Sequence, residues 1–177
     1  MNVKFMNPFI EAAIEVLNAE VNVKVVRGNL ALQSSALTAD DITVLINLVG
    51  EIQGVVLFGM SVSTALGLVS QIMEQKFTEL DSLAQSGIAE LGNVISGAAT
   101  IKMSATGYNS TISPPTLIVG NGAQISTLDF ARIVVPLQTE LGNIVVHLAL
   151  RESPAGQKGV NFVPLIQSAV GGNLTTG

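Results

Sequence analysis

Apolar residues in this chain come in short runs divided by turn formers. That spacing limits the fold more than any other feature of the sequence. Runs such as Ile133-Val134-Val135 and Ile144-Val145-Val146 are the length of a strand segment. None approaches the ~18 uninterrupted apolar residues of a membrane-spanning helix. The mean hydropathy of +0.54 therefore points to a well-filled core, not to a bilayer. The start, MNVKFMNPFIEAA, has no basic segment followed by an apolar signal core, so a soluble cytoplasmic protein is expected. A length of 177 residues suits one domain.

Residues 42–49 and 52–60 predict a hairpin. Gly50-Glu51 would form a two-residue type II′ turn, with glycine supplying the positive φ. Residues 130–138 and 143–151 predict two further strands joined by a short turn containing Gly142. Pro136 lies inside the first and has no N–H for a ladder, so an edge or a bulge is expected there. Residues 21–26 alternate like a strand, and 28–40 read as irregular. Pro114-Pro115 breaks the chain before a short strand at 116–119, which Gly120-Asn121-Gly122 turns.

Three helices are expected. The first has Asn7 as N-cap and Pro8 at the first helical position. Phe9, Ala13, Val16 and Leu17 share one face, and Glu11, Glu15 and Asn18 the other. The second runs from about 63 to 75. Thr78-Glu79-Leu80-Asp81 resembles a capping box and would open a long third helix through about Thr106, stopped by Gly107. The order of elements is α+β, with a largely antiparallel sheet packed against a long central helix and two further helices. Residues 1–152 form the expected domain. Residues 153–177 form an extension with one apolar cluster at 162–166, a strand, a helix or a loose tail.

Composition narrows the function. Net charge is −5 with lysine and arginine scattered, so no basic patch awaits phosphates. There is no tryptophan and one tyrosine, Tyr108, so base stacking is not expected either. The absence of cysteine excludes disulfides and thiolate metal sites. His147, the only histidine, has no evident metal or catalytic partner and reads as structural. Gly120-Asn121-Gly122 lacks the following Lys-Ser/Thr helix of a phosphate loop. Asn109-Ser110-Thr111 matches a glycosylation sequon, which carries meaning only in a secreted chain. A partner protein or a small molecule remains, and no convergent polar residues support the small molecule.

The tetrapeptide Glu-Leu-Gly-Asn occurs at 90–93 and at 140–143, and a looser copy, Glu15-Val16-Leu17-Asn18, lies near the start. Recurrence alone proves little at ordinary composition. At 140 the residues lie between two apolar runs and are turn chemistry. At 15 they fit the solvated face of an amphipathic helix. At 90 they fall on the long helix, where Ser86, Glu90, Asn93 and Gly97 share one narrow stripe. Ala84, Ile88, Leu91, Ile95 and Ala98 cover the opposite side and should meet the core. Gly87, Gly92 and Gly97 are unusual inside a helix, since each costs about 1 kcal/mol relative to alanine. Small residues there let another backbone approach. Close packing within the domain accounts for Gly92 better than for Gly97, which lies on the polar stripe.

The stretch LDSLAQSGIAELGNVISGAATIKMSATGYNSTISPPTLIVG resembles the central helix and following loop of the CheX/CheC/FliY chemotaxis phosphatases. Their pattern is Asp or Ser, three residues, Glu, two residues, Asn, then a proline a little over twenty positions on. Ser86, Glu90, Asn93 and Pro114-Pro115 match it in order. NPFIEAAIEVL, the hairpin around 50–58 and STALGLVSQIM are also similar to CheX, so the resemblance spans about residues 5–151. It implies hydrolysis of the aspartyl phosphate on a CheY-type receiver. Asn93 would position the in-line water and Glu90 would anchor the receiver's lysine. Ser86, Gly97, Pro114 and Pro115 would meet the partner. No cofactor of the chain's own is implied, and Mg²⁺ would belong to the receiver. A homodimer joined through the sheet is the implied assembly. CheC-type members carry a second site, but here Glu11 stands before Glu15/Asn18 where Asp or Ser is expected, so no second site is assigned. The alternative is a non-catalytic response-regulator-binding module, similar to the middle domain of the flagellar switch protein FliM.

Overall fold

The computed structural model describes residues 3–34, 36–127, 131–154 and 164–167. In chain order the strands are Val26–Arg27 (β1), Ala31–Gln33 (β2), Leu37–Thr38 (β3), Ile42–Gly50 (β4), Ile52–Met60 (β5), Ser110–Ile112 (β6), Thr116–Val119 (β7), Gln124–Ser126 (β8), Arg132–Thr139 (β9), Gly142–Glu152 (β10) and Leu165–Gln167 (β11). The helices are Met6–Val16 (α1), Val62–Ile72 (α2) and Ser82–Ser104 (α3).

The main sheet runs β1-β9-β10-β5-β4-β6, with β2 also on β9 and β7 also on β4. Its pairings are antiparallel. One face carries Val44, Ile46, Phe58, Val146 and Leu148 against Phe9, Ala13 and Leu17 of the first helical segment and Ile88, Leu91 and Ile95 of α3. The other face carries Leu45, Val55, Leu57 and Ala149, covered by Ile125 of β8 and by Ala39. The small sheet β11-β8-β3 forms that cover. Every residue of β5 is therefore buried. A strand covered on both faces reads as a continuous apolar run, without alternation.

The α+β class, the antiparallel sheet and the three helices agree with the sequence. Several local expectations do not. A 3-10 turn, Val3–Phe5, leads directly into α1. Asn7 and Pro8 thus lie inside the first turn, not at its boundary, and Asn7 is not the cap. Proline is tolerated there because first-turn N–H groups have no intrahelical acceptor. The helix also continues as a π-helical segment, Leu17–Val21, closed by Asn22 at φ 56°. The strand expected at 21–26 shrinks to β1. Leu17 and Val21, four residues apart, are both buried against the core, and that burial overrides the local alternation.

The β4–β5 hairpin is present, and Gly50 has φ 144°. Its turn is not a two-residue one. Leu48 pairs with Gly54 and Asn47 with Val55, which leaves an odd number of residues in the connection. The cause is tertiary. β6, which was not expected as a strand, pairs Ser110 with Gly50, and Glu51 N–H donates to Asn109 O at 2.8 Å.

α2 begins at Val62 and ends at Ile72, one residue before and three before the expected bounds. Ser61 is its cap, with Oγ accepting from Thr64 N–H at 3.1 Å. At α3 the cap is Asp81, not Thr78, and Oδ1 accepts from Ala84 N–H at 2.8 Å. Such a cap contributes about 1 kcal/mol. Gly107, at φ 93°, closes the helix by a Schellman arrangement. Gly107 N–H donates to Ser104 O at 3.0 Å and Tyr108 N–H to Met103 O at 3.1 Å.

β9 starts at Arg132, and the first expected position, 130, lies outside the described residues. Pro136 O accepts from Gly28 N–H at 2.7 Å, so this residue's backbone points to the outer side of β9. That side falls between the short strands β1 and β2, where no ladder needs an N–H. The β9–β10 turn consists of Glu140 and Leu141, with Gly142 already in β10 at φ 122°. Of the apolar cluster at 162–166, residues 162 and 163 lie outside the described residues, and Leu165 and Ile166 belong to β11, which pairs with β8.

Candidate functional site

α3 packs against α1, α2 and β4, and it leaves one stripe toward solvent. Ser86 and Glu90 are exposed, and Asn93 and Gly97 are half-buried. The stripe is about 16 Å long at ~1.5 Å per residue. Ser86 Oγ donates back to Ser82 O at 2.9 Å. Asn93 Nδ2 lies 3.5 Å from Glu90 Oε2, a long and weak contact between neighbours on one helical face. No ion pair among the described residues involves Glu90.

The three interior glycines separate into two kinds. A Cβ at position 87 would stand 2.7 Å from Val69 Cγ2 and 2.8 Å from Met73 Cε, so Gly87 admits α2. A Cβ at position 92 would stand 2.8 Å from Val44 Cγ1, so Gly92 admits the sheet. At position 97 the nearest atom is Ile112 Cδ1 at 4.0 Å, so Gly97 opens outward beside β6. On the buried side, Ala84, Ile88, Leu91 and Ile95 meet the core as expected. Ala98 is only half-buried, and Ala99 takes the fully buried place. The reason is that α3 is packed from α1, α2 and the sheet at once, so its buried sector is wider than a single face.

Pro114 and Pro115 form the connection between β6 and β7. Pro114 is exposed and Pro115 half-buried. Ser113 fastens this connection to β4, donating N–H to Asn47 O at 2.9 Å and accepting from Asn47 N–H at 3.0 Å through Oγ. The loop thus follows directly on the strand that flanks Gly97.

The two other copies of the tetrapeptide lie elsewhere. Glu140 is in the β9–β10 turn. Glu15 is in α1, and its Oε1 is held by Lys102 Nζ of α3 at 2.8 Å, with Glu11 at 3.8 Å from the same cation. Asn18 falls in the π-helical segment, which shifts it from ordinary helical register with Glu15. His147 is buried between the two sheets, and its Nδ1 has no hydrogen-bond partner among the described residues. Burial first, and then Arg132, lower its pKa to about 4. It is neutral at pH 7 and remote from the stripe in the sheet.

Sequence reasoning did not find one feature beside the stripe. Val16, Ile72, Met73, Leu91 and Val94, with Glu20, Ser86, Gly87 and Glu90, line a groove of about 420 Å³. Val94 is 39% exposed although it follows Asn93 directly. A valine placed directly after Asn93, beside the polar stripe, is the signal in the sequence that points to this groove.

Among the described residues, no group of three or more His, Cys, Asp or Glu side chains could hold a metal ion. No helix among them is long and apolar enough to cross a membrane. The site therefore offers a carboxylate, an amide and open backbone on one helix face, a surface able to dock on a partner and hold a water.

Comparison with known proteins agrees in fold and sequence. The family model described as chemotaxis phosphatase CheX matches residues 42–138, more than half of the chain. The CheY-P phosphatase CheX of Thermotoga maritima is 28% identical over 128 residues, covering 72% of this chain and 83% of that protein. A CheC-like superfamily protein from Shewanella sp. PV-4 superposes with a TM-score of 0.78 at 24% identity, covering 85% of this chain and 99% of that one. A chain in the CheX-CheY-BeF3-Mg²⁺ complex from Borrelia burgdorferi matches with a TM-score of 0.68 at 24% identity, covering 85% and 100%.

Proposed function

This chain belongs to the chemotaxis phosphatase CheX family, and on that premise we propose that it hydrolyses the aspartyl phosphate of a CheY-type receiver through Glu90 and Asn93. Water attacks phosphorus in line with the bond to the receiver's aspartate. That bond breaks, inorganic phosphate leaves, and the aspartate carboxylate is restored. The loose transition state asks little covalent chemistry of a catalyst, and positioning supplies most of the acceleration. An uncharged amide suits this task, because it accepts from and donates to one water without taking a proton. Asn93 is assigned that role. Each factor of ten in rate corresponds to about 1.4 kcal/mol, so one well-placed amide supplies a large effect.

Glu90 is assigned as the anchor that pairs with the receiver's lysine. The observation that carries this reading is the contrast between two carboxylates. Glu15 is held by Lys102, whereas Glu90 forms no ion pair with a cation of its own chain among the described residues. A carboxylate beside an exposed amide on an open stripe is ready for a cation from outside. A general-base role suits it less, since an ordinary carboxylate is a weak base at neutral pH. Ser86 and Gly97 extend the contact along the helix, and Pro114 and Pro115 border it. Mg²⁺ belongs to the receiver in this mechanism. The relative in the Borrelia complex is described with CheY, BeF3 and Mg²⁺, which supports that assignment.

A cytoplasmic homodimer completes the proposal. β1 and β2 support it as an exposed sheet edge, with Val26 and Leu32 52% and 68% exposed. Solution mass tests it. The function is tested by phosphate release from a phosphorylated receiver with and without this protein. Acceleration is the expected result, and receiver binding without acceleration would favour the non-catalytic module.

A further inference from the structure

We infer that the apolar groove beside Glu90 seats a nonpolar side chain of the receiver, flanked there by cationic residues, and that this contact selects which receivers are dephosphorylated. The inference rests on the function proposed above.

Continuity is the first reason. Ser86 and Glu90 belong both to the open stripe of α3 and to the groove lining. Whatever pairs with Glu90 therefore stands at the mouth of the groove. Its walls come from three separate elements, α1, α2 and α3, through Val16, Ile72, Leu91 and Val94, with Met73 just past the end of α2. An apolar trough beside a polar anchor has the layout of an interface, in which a buried nonpolar contact is bordered by charge.

Charge is the second reason. Glu20 and Glu90 both line this mostly apolar space, and neither forms an ion pair among the described residues. Two free carboxylates around an apolar floor complement a nonpolar residue bordered by lysine or arginine. They disfavour an acidic partner surface by like-charge repulsion. The π-helical segment Leu17–Val21 carries Glu20. Met73 supplies an adaptable wall, because an unbranched thioether repacks at little cost. Gly87 lets that methionine lie against α3, since a Cβ there would stand 2.8 Å from Met73 Cε.

The test uses Val94→Asn and Glu20→Lys, two exposed positions whose replacement leaves the core intact. Ile101→Asn is the control, a 74% exposed residue of the same helix that does not line the groove. The probe is a CheY-type receiver of the same organism, activated with beryllofluoride and Mg²⁺ for affinity and phosphorylated for turnover. Both groove variants are expected to raise Kd and KM about tenfold, in line with losing most of one buried apolar or charge-paired contact, while kcat changes by less than about twofold. Ile101→Asn is expected to match the unsubstituted protein. Melting temperatures verify that each variant is folded.

Unchanged affinity in both groove variants, with phosphate release still accelerated by the unsubstituted protein, overturns the groove and leaves the catalytic reading standing. An equal loss in Ile101→Asn also overturns it, because the effect would then belong to the whole helix face. Weakened receiver binding in the groove variants alone, from a protein that releases no phosphate, supports the groove and overturns the catalytic reading instead.

Discussion

Lys102 Nζ stands 2.8 Å from Glu15 Oε1, tying α3 to the α1 copy of the Glu-x-x-Asn pattern. The same chain thus carries one such carboxylate bound to its own lysine and another, Glu90, with no ion pair among the described residues. The difference predicts a single working site. Asn93→Ala should lower receiver dephosphorylation about a hundredfold or more, the loss of a positioned water. Asn18→Ala should leave it unchanged. Substantial activity remaining in Asn93→Ala and vanishing in the Asn18/Asn93 double variant would assign α1 a site after all.

Glu90→Gln should act on association before chemistry. It keeps the shape of the side chain and removes the charge. A charge-assisted hydrogen bond contributes about 1.5–3 kcal/mol, so affinity for an activated receiver should fall about tenfold to a hundredfold. The dependence of binding on salt should weaken as well. Titrations of receiver against protein at two ionic strengths measure both, and undiminished binding sinks the anchor role.

Gly92 and Gly97 should respond in opposite ways to one methyl group. At Gly92 a Cβ meets Val44 Cγ1 at 2.8 Å, in the seam between α3 and the sheet. Gly92→Ala should therefore destabilise the fold by about 1–3 kcal/mol through overpacking. At Gly97 the nearest atom is 4.0 Å away. Gly97→Ala should raise stability by up to about 1 kcal/mol from helix propensity. Gly97→Leu should stay folded yet lose receiver binding. Denaturant unfolding and affinity measurements on the three variants decide the matter, and a stable Gly92→Ala would contradict the packing described here.

The second tetrapeptide should be structural throughout. Gly142 has φ 122°, and a Cβ there would stand 2.0 Å from Thr64 Oγ1 in α2. Gly142→Ala should cost more than about 1 kcal/mol, since strain and clash add. Glu140→Ala, in the exposed turn, should change neither stability nor activity appreciably. Thermal melts and phosphate-release rates on both variants check the assignment.

His147 should make stability fall with acid. Its pKa is lowered to about 4 by burial and by Arg132. The unfolded chain therefore binds the proton first, near the ordinary value of ~6.5. Stability is complete above that value and is lost as pH falls from there toward 4. The loss reaches roughly 3 kcal/mol, at ~1.4 kcal/mol per unit. His147→Leu, which suits neighbours Leu57 and Val134 in the ladder, should flatten that part of the profile. Unfolding midpoints from pH 7 to pH 4.5 test it, and parallel profiles for the two proteins would remove His147 as the cause.

Much of the fold was legible because it rests on local periodicity. The runs that became β4, β5, β9 and β10 alternate or repeat apolar residues at strand length. The stripe through Ser86, Glu90, Asn93 and Gly97 follows from helical geometry alone. β7 and the stop at Gly107 were equally readable from proline and glycine. By contrast, the strand expected at 21–26 shrank to β1, because Leu17 and Val21 gained burial against the core and carried the helix on to Val21. The hairpin turn at Gly50 changed because β6 arrived from sixty residues away to pair with it.

The sequence by itself determined the α+β class, the long helix and which of its residues share a face, since each depends on neighbours within a few positions. Tertiary structure alone decided which copy of the pattern is free. Lys102 lies 87 residues from Glu15, and only the packing of α1 on α3 brings them together. It also decided that Gly92 faces the sheet while Gly97 faces solvent, and it built the groove from Val16, Met73 and Val94. Such features depend on contacts between distant segments, which periodicity does not encode.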